Sequence, residues 1–197
     1  MSTYYYFRST LPTLLPASAA PFSFDGFLER CEGRVAKKDY ATIRASRFQS
    51  VEGALSLAKP PEEARRSHTL TSFFTWEKAL RNELVRLRAH KLGKAPERFV
   101  RPGDPEWDAF RVAQAAVQCD DPLEGELAIE RERWGYVERL ETGHYFDLEA
   151  LVAYALKIQI QERRALFEAE RGETSYKTAY REILDAAEAP ASNTREA

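Results

Sequence analysis

The sequence predicts an all-α protein, an irregular multi-helix bundle with an extended N-terminal segment. Three observations carry this. Apolar residues recur at three-and-four spacing through long stretches, the mark of helices with one buried face. An aspartate followed by proline and then an acidic residue occurs twice, a helix-start signal. Glycine stands where the apolar periodicity stops, as helix C-termini favour. At 197 residues the chain suits one domain with a core, expected over 1–188. Residues 1–22 form the extended Tyr/Pro-rich segment and 189–197 a polar, disordered tail.

The opening TYYYFRSTLPTLLPASAAPFSF, Thr3 to Phe24, raises targeting first. Ala17-Ser18-Ala19 imitates a cleavage site, but Arg8, Pro12 and Pro16 interrupt the apolar core that a secretory signal needs, and no charge precedes the tyrosines. Leu11 before Pro12 and Leu15 before Pro16 favour extended backbone. If Tyr4 to Thr10 is extended, Tyr4 and Tyr6 face one way and Tyr5 and Phe7 the other. One pair then covers the core, and the outer pair either covers it too or contacts a partner, since aromatic anchors are common in interfaces. Tyr4, Tyr5, Tyr6 and Phe7 are the candidate partner contacts.

Ser23 caps a first helix to about Arg34, with Phe24, Phe27, Leu28 and Cys31 on one side and Gly33 near its end. A shorter helix is expected over Lys38–Phe48, carrying Tyr40, Ile43 and Phe48. Ser56 to Ser67, with Pro60-Pro61, reads as a connector. A long helix follows from about Leu70 to Leu92, stopped by Gly93. On it Leu70, Phe73, Phe74, Leu80, Leu84 and Leu87 share an arc, and Arg81 and Arg88 fall near its middle, with Glu77 one turn before Arg81.

Asp104-Pro105-Glu106 opens a helix to about Gln118, and Asp121-Pro122 with Glu124 opens another to about Leu140, ended by Gly143. These aspartates are capping residues rather than a catalytic pair. Asp147 starts the longest helix, to Gly172. Leu148, Leu151, Val152, Ala155, Ile158 and Leu166 form one stripe on it, and Leu156, Ile160 and Phe167 a second. Gln159 and Glu162 point into the first stripe. A buried carboxylate needs a partner, so Glu162 is expected to pair with Arg81 or Arg88 in a structural ion pair, an arginine making it a poor acid or base near neutrality. Phe73, Leu84, Leu151, Ile158 and Leu166 are the expected scaffold. Ser175 caps a final helix carrying Tyr176, Tyr180, Ile183 and Leu184.

Composition limits the functions further. Cys31 and Cys119 are far apart, without a Cys-x-x-Cys, so neither a disulfide framework nor structural zinc is expected, and a reducing cytoplasm is the expected location. No stretch approaches the about 20 apolar residues of a membrane span, so no direct membrane insertion is expected. Lys59 to Arg101 holds eleven Lys/Arg against five Asp/Glu, and Pro102 to Glu173 seventeen Asp/Glu against eight Lys/Arg. The two are either neighbouring helices with complementary faces or separate charged surfaces for different partners. The basic segment's arginines are interleaved with core-like leucines, so no nucleic-acid face is expected. No phosphate-binding glycine loop, Gly-x-Ser-x-Gly or His-Glu-x-x-His occurs. His68, His90 and His144 lack ligand spacing. No catalytic, cofactor-binding or metal-binding residue is expected.

YYYFRSTLPTL (Tyr4 to Leu14), PFSFDGFLERC (Pro21 to Cys31) and FDLEALVAYALKIQIQERRALFEAERG (Phe146 to Gly172) together resemble a family of small, uncharacterised bacterial proteins encoded among the genes for rotary V/A-type ATPases. FFTWEKALRNELVRLRAHKLG (Phe73 to Gly93) is similar to the C-type adaptor of those ATPases, an all-helical, wedge-shaped piece that joins the membrane rotor ring to the central stalk. That adaptor has three related lobes and a continuous helix where this chain has prolines, so the shorter chain fits a reduced counterpart or an accessory protein. The resemblance implies no catalytic residue or cofactor. It implies the other components of a V/A-type ATPase, rotor ring and central stalk, as partners, and a place at the membrane through them. A stand-alone helical interaction or regulatory protein would share the same composition.

Overall fold

The computed structural model describes residues 4–48 and 62–167. Among them are seven α-helices and no strand: α1 Tyr5–Ser9, α2 Phe24–Cys31, α3 Lys37–Arg44, α4 His68–Lys91, α5 Trp107–Gln118, α6 Pro122–Glu141 and α7 Leu148–Ala165, with 3-10 turns at Glu62–Arg66 and Pro96–Arg98. The expected all-α class is what the chain adopts. The expected final helix after Ser175 and the tail lie outside the described residues.

Local capping chemistry sets the ends of the longer helices and of α2 in particular. Ser23 Oγ accepts from the Gly26 N–H, Asp121 from Leu123 N–H with Pro122 at the first position, and Asp147 from Ala150 N–H, each satisfying an amide that the helix itself leaves open. Gly33, Gly93 and Gly143 follow α2, α4 and α6 with φ of 69°, 62° and 88°, the left-handed conformation that glycine adopts without a Cβ penalty. The α4 helix starts at His68, earlier than its apolar arc, because Ser67 accepts from the Leu70 N–H.

Two expectations about helix starts are corrected. The N-terminal segment is not extended throughout, since Tyr5–Ser9 is helical. The prolines bias only the residues just before them, and the turn ends ahead of Pro12. Helical spacing buries Tyr4, Phe7 and Leu11 together and leaves Tyr5 and Tyr6 outside, so the alternating strand faces do not occur. The α5 helix begins at Trp107 with Glu106 at its cap, not with Asp104 and Pro105. Arg101 is tied to α4 first: Asn82 Nδ2 donates to its carbonyl at 2.8 Å and its N–H donates to Asn82 Oδ1 at 2.9 Å.

The central helices α4, α6 and α7 pack on one another. The α5 helix lies against α4 and α6, while α2 and α3 cover α7. One apolar cluster gathers Phe7, Phe27, Phe73, Tyr154, Leu156 and Ile158 around α7. A second, of Trp76, Leu80, Ala109, Val112 and Ile129, joins α4, α5 and α6. Trp76 and Tyr136 stack with ring centroids 4.6 Å apart, and Tyr136 packs against both clusters. The α5–α6 approach is so close that a Cβ on Gly125 would lie 2.7 Å from the Ala116 carbonyl oxygen. Phe73, Leu84, Leu151 and Ile158 are buried as expected, whereas Leu166 is 68% exposed because α7 has ended at Ala165. Among the described residues, no helix is long and apolar enough to cross a membrane.

Candidate interaction surface

The expected pairing of Glu162 with Arg81 or Arg88 does not occur. Glu162 Oε1 accepts from the backbone N–H of Phe24 at 3.1 Å, putting its charge at the positive start of α2, where a carboxylate is favoured. It is only partly buried, so it needs no arginine. Arg81 Nε reaches Glu77 at 2.8 Å, the one-turn pair anticipated within α4. Arg88, 58% exposed at its side chain, lies 3.3 Å from Glu126 on α6. Its long stem carries the charge out of the apolar arc. Arg88 and Glu126 thus link the basic and acidic segments as neighbouring helices.

The buried ion cluster is elsewhere. Arg133 on α6 holds Glu77 with two bonds, Nε to Oε2 at 2.9 Å and Nη2 to Oε1 at 2.8 Å, and donates to Glu130 Oε1 at 2.7 Å. Arg163 Nε approaches the same Glu130 oxygen to 2.7 Å, but its N–H is not aligned as a hydrogen bond, so that contact is coulombic. Burial pushes the Glu77 carboxyl up, but Arg133 and then Arg81 more than offset it and hold it down at about 2. Burial also pushes Glu130 up, and here it prevails over Arg133 and Arg163. Glu77 and Arg133 are thereby locked in their charged forms, the behaviour of a structural pair. The sequence signal was present: Arg133 stands four residues after Ile129 and four before Val137, on a buried stripe.

Other reactive groups are similarly occupied. Burial pushes the Cys31 thiol up to about 12, against a smaller pull from Arg34, so little nucleophilic thiolate forms. His144 Nδ1 lies 2.6 Å from Asp147 Oδ2. Among the described residues, no group of three or more His, Cys, Asp or Glu is placed to hold a metal ion.

The distinctive surface is aromatic. After Gly143 the chain from α6 turns tightly, with His144 N–H donating to the Glu141 carbonyl at 2.9 Å and the imidazole tied to Asp147. The Phe146 carbonyl accepts from Tyr4 N–H at 2.5 Å. Pinned at both ends, this loop turns Tyr145 and Phe146 outward beside α1. Tyr5, Tyr6, Tyr145 and Phe146 are 53%, 85%, 69% and 39% exposed. They form a chain of rings: Tyr6 to Tyr5 5.6 Å, Tyr5 to Phe146 4.7 Å and Phe146 to Tyr145 6.3 Å between centroids. The cleft on one side, of about 530 Å³, is walled by Arg8, Glu138, Glu141 and Lys157. A second, of about 400 Å³, is walled by Tyr6, Thr10 and Arg34. Large rings exposed together, with the charged groups of Arg8, Glu138, Glu141, Lys157 and Arg34 at the adjoining clefts, have the make-up of an interface centre with its rim.

Of the four N-terminal aromatics singled out in the sequence, Tyr5 and Tyr6 stand on this ridge, while Tyr4 and Phe7 lie beneath it. Tyr4 Oη donates to Asp39 Oδ2 at 2.5 Å. Tyr145 and Phe146 were missed. Their signal was two aromatics placed between a helix-ending glycine and the Asp147 cap, where packing on a helix face is unattainable. No protein-family model matches this chain, and no curated protein or solved structure matches it.

Proposed function

We propose that this chain is a non-catalytic helical component or accessory factor of a bacterial V/A-type ATPase, similar to the C-type adaptor, linking membrane rotor and central stalk or assisting assembly. It docks on another component of that complex through the ridge of Tyr5, Tyr6, Tyr145 and Phe146, and so works in the cytoplasm at the membrane periphery. One observation carries this reading. The tyrosine-rich opening and the late helix, which together bear the family resemblance, are joined in space, and their junction exposes the ridge. Tyr4 N–H meets the Phe146 carbonyl, and Tyr154 Oη donates to the Pro12 carbonyl at 3.0 Å. Aromatic anchors of this kind dominate binding energy where they are desolvated by a partner. A rigid helical body with locked internal charges suits mechanical coupling rather than chemistry.

The test is purification of the membrane ATPase from the source organism, in parallel with a strain carrying both Tyr6→Ser and Tyr145→Ser. The chain is expected in the wild-type complex and depleted at least tenfold in the double variant, with the variant's helical content unchanged. A complete, coupled ATPase isolated without the chain overturns the reading.

A further inference from the structure

Beside the ridge, a cavity of about 700 Å³ opens between the starts of α3, α4 and α7, a size within the range of small-molecule sites. Lys37, Lys38, Arg66, His68 and His144 contribute its basic groups, and Asp39, Asp147 and Glu149 its carboxylates. The two sets are not equally available. Both oxygens of Asp39 are taken, by Tyr4 Oη and by Arg66 at 2.9 Å. Glu149 accepts from Ser67 Oγ, His68 N–H and Thr69 N–H at 2.6, 3.1 and 2.9 Å. Asp147 accepts from Ala150 N–H and faces His144. The acceptors in the wall are thus turned to protein donors.

The donors are in surplus. Lys37 and Lys38 are exposed, and neither side chain has an ion-pair partner among the described residues. Their backbone N–H groups stand in the first turn of α3, whose cap residue Ala36 supplies no side-chain acceptor. Arg66 keeps donors beyond the one directed at Asp39, its side chain being 44% exposed. Hydrogen bonding leaves Asp147 and Glu149 charged but holds both on protein donors, so the free ammonium, guanidinium and amide donors are the groups left in the wall to meet a negative oxygen atom.

We propose that this cavity binds a compact, multiply charged oxyanion, a small phosphorylated or polycarboxylate molecule, with Lys37 and Lys38 as its principal ligands. Binding is a property of the isolated chain and does not depend on the docking of the ridge to a partner.

Titration calorimetry of the full chain at low salt and neutral pH, with inorganic pyrophosphate and with citrate, tests this. Saturable one-to-one binding is expected for at least one of them, the tighter one assigning the ligand to the phosphate or the carboxylate class. In Lys37→Gln/Lys38→Gln the affinity is expected to fall about tenfold or more, the usual scale for losing charge-assisted hydrogen bonds, with the melting temperature unchanged. Lys94→Gln/Arg98→Gln removes the same charge at the far end of α4 and is expected to bind as the wild type does. Absence of binding by both probes, or equal weakening in the two double variants, overturns the proposal.

Discussion

Arg133 holds both carboxylate oxygens of Glu77 while its remaining terminal nitrogen reaches Glu130, and all three side chains are less than a tenth exposed. The two acids are not equivalent. Glu77 is fully engaged, by Arg133 and Arg81, whereas Glu130 Oε2 is buried with no hydrogen-bond partner among the described residues.

Opposite outcomes follow for the two amide substitutions. Glu77→Gln takes the principal counter-charge from a buried arginine and is expected to cost roughly 3 kcal/mol at pH 7. Glu130→Gln keeps an oxygen for Arg133 and removes an ill-paired charge, so it is expected to change stability by under about 1 kcal/mol or to raise it. The pH dependence has a definite sign. The Glu77 carboxyl is lowered from 4.5 to about 2 on folding. Its contribution is therefore present above pH 4.5 and fades as pH falls from there toward 2. Glu130 is raised, so its contribution is present in acid and is lost as pH rises through its folded value. Urea unfolding at pH 7, 5 and 3 checks this: the Glu77→Gln deficit should shrink in acid. A constant deficit would show that the ion pair is not its cause.

Tyr4 and Tyr6 should separate folding from surface. Tyr4→Phe deletes the hydroxyl that meets buried Asp39, leaving Arg66 as the remaining partner of that carboxylate, and is expected to cost about 1–3 kcal/mol. Tyr6→Phe, at an 85% exposed position, should stay within about 0.5 kcal/mol of the wild type. Thermal melting of the two single variants, which differ from the parent by one oxygen each, measures both. Equal effects would mean that the Tyr4–Asp39 bond does not secure α1.

Gly125 provides a test of packing. A Cβ there would press on the Ala116 carbonyl, a backbone atom that cannot rotate away. Alanine normally favours a helix over glycine by about 1 kcal/mol. Here Gly125→Ala is expected instead to destabilise by about 1–3 kcal/mol through overpacking. A calorimetric rise in melting temperature would refute the close α5–α6 approach.

Features set by adjacent backbone were readable from sequence. Asp121-Pro122, Asp147 and Gly93 each satisfy or terminate a helix within a few residues, so no knowledge of the fold is needed. Asp104-Pro105-Glu106 carries the same letters but starts no helix at Asp104, because Asn82 holds Arg101 against α4 and the turn comes later. Glu162 does require a partner, as its place in an apolar stripe indicates. That partner, the Phe24 amide, is invisible in the sequence because a backbone donor leaves no trace in side-chain chemistry. The aromatic ridge is half legible: Tyr5 and Tyr6 stand out by composition, while Tyr145 and Phe146 join them only through a contact between residues 4 and 146.

The bonds that seat the N-terminal segment also impose an order on folding. Pro12 waits for Tyr154, Leu15 and Ser18 for Gln161, and Phe24 for Glu162, partners 138 to 146 positions further along. At synthesis rates of about 5–20 residues per second, the residues up to Phe24 leave the ribosome roughly 7–30 s before the helix that receives them. Throughout that interval their native partners on α2 and α3, such as Phe27 and Asp39, are already made, but the α7 surface that completes their burial is not. The segment is thus made well before the helix that seats it, and its placement belongs to the late, long-range steps of folding.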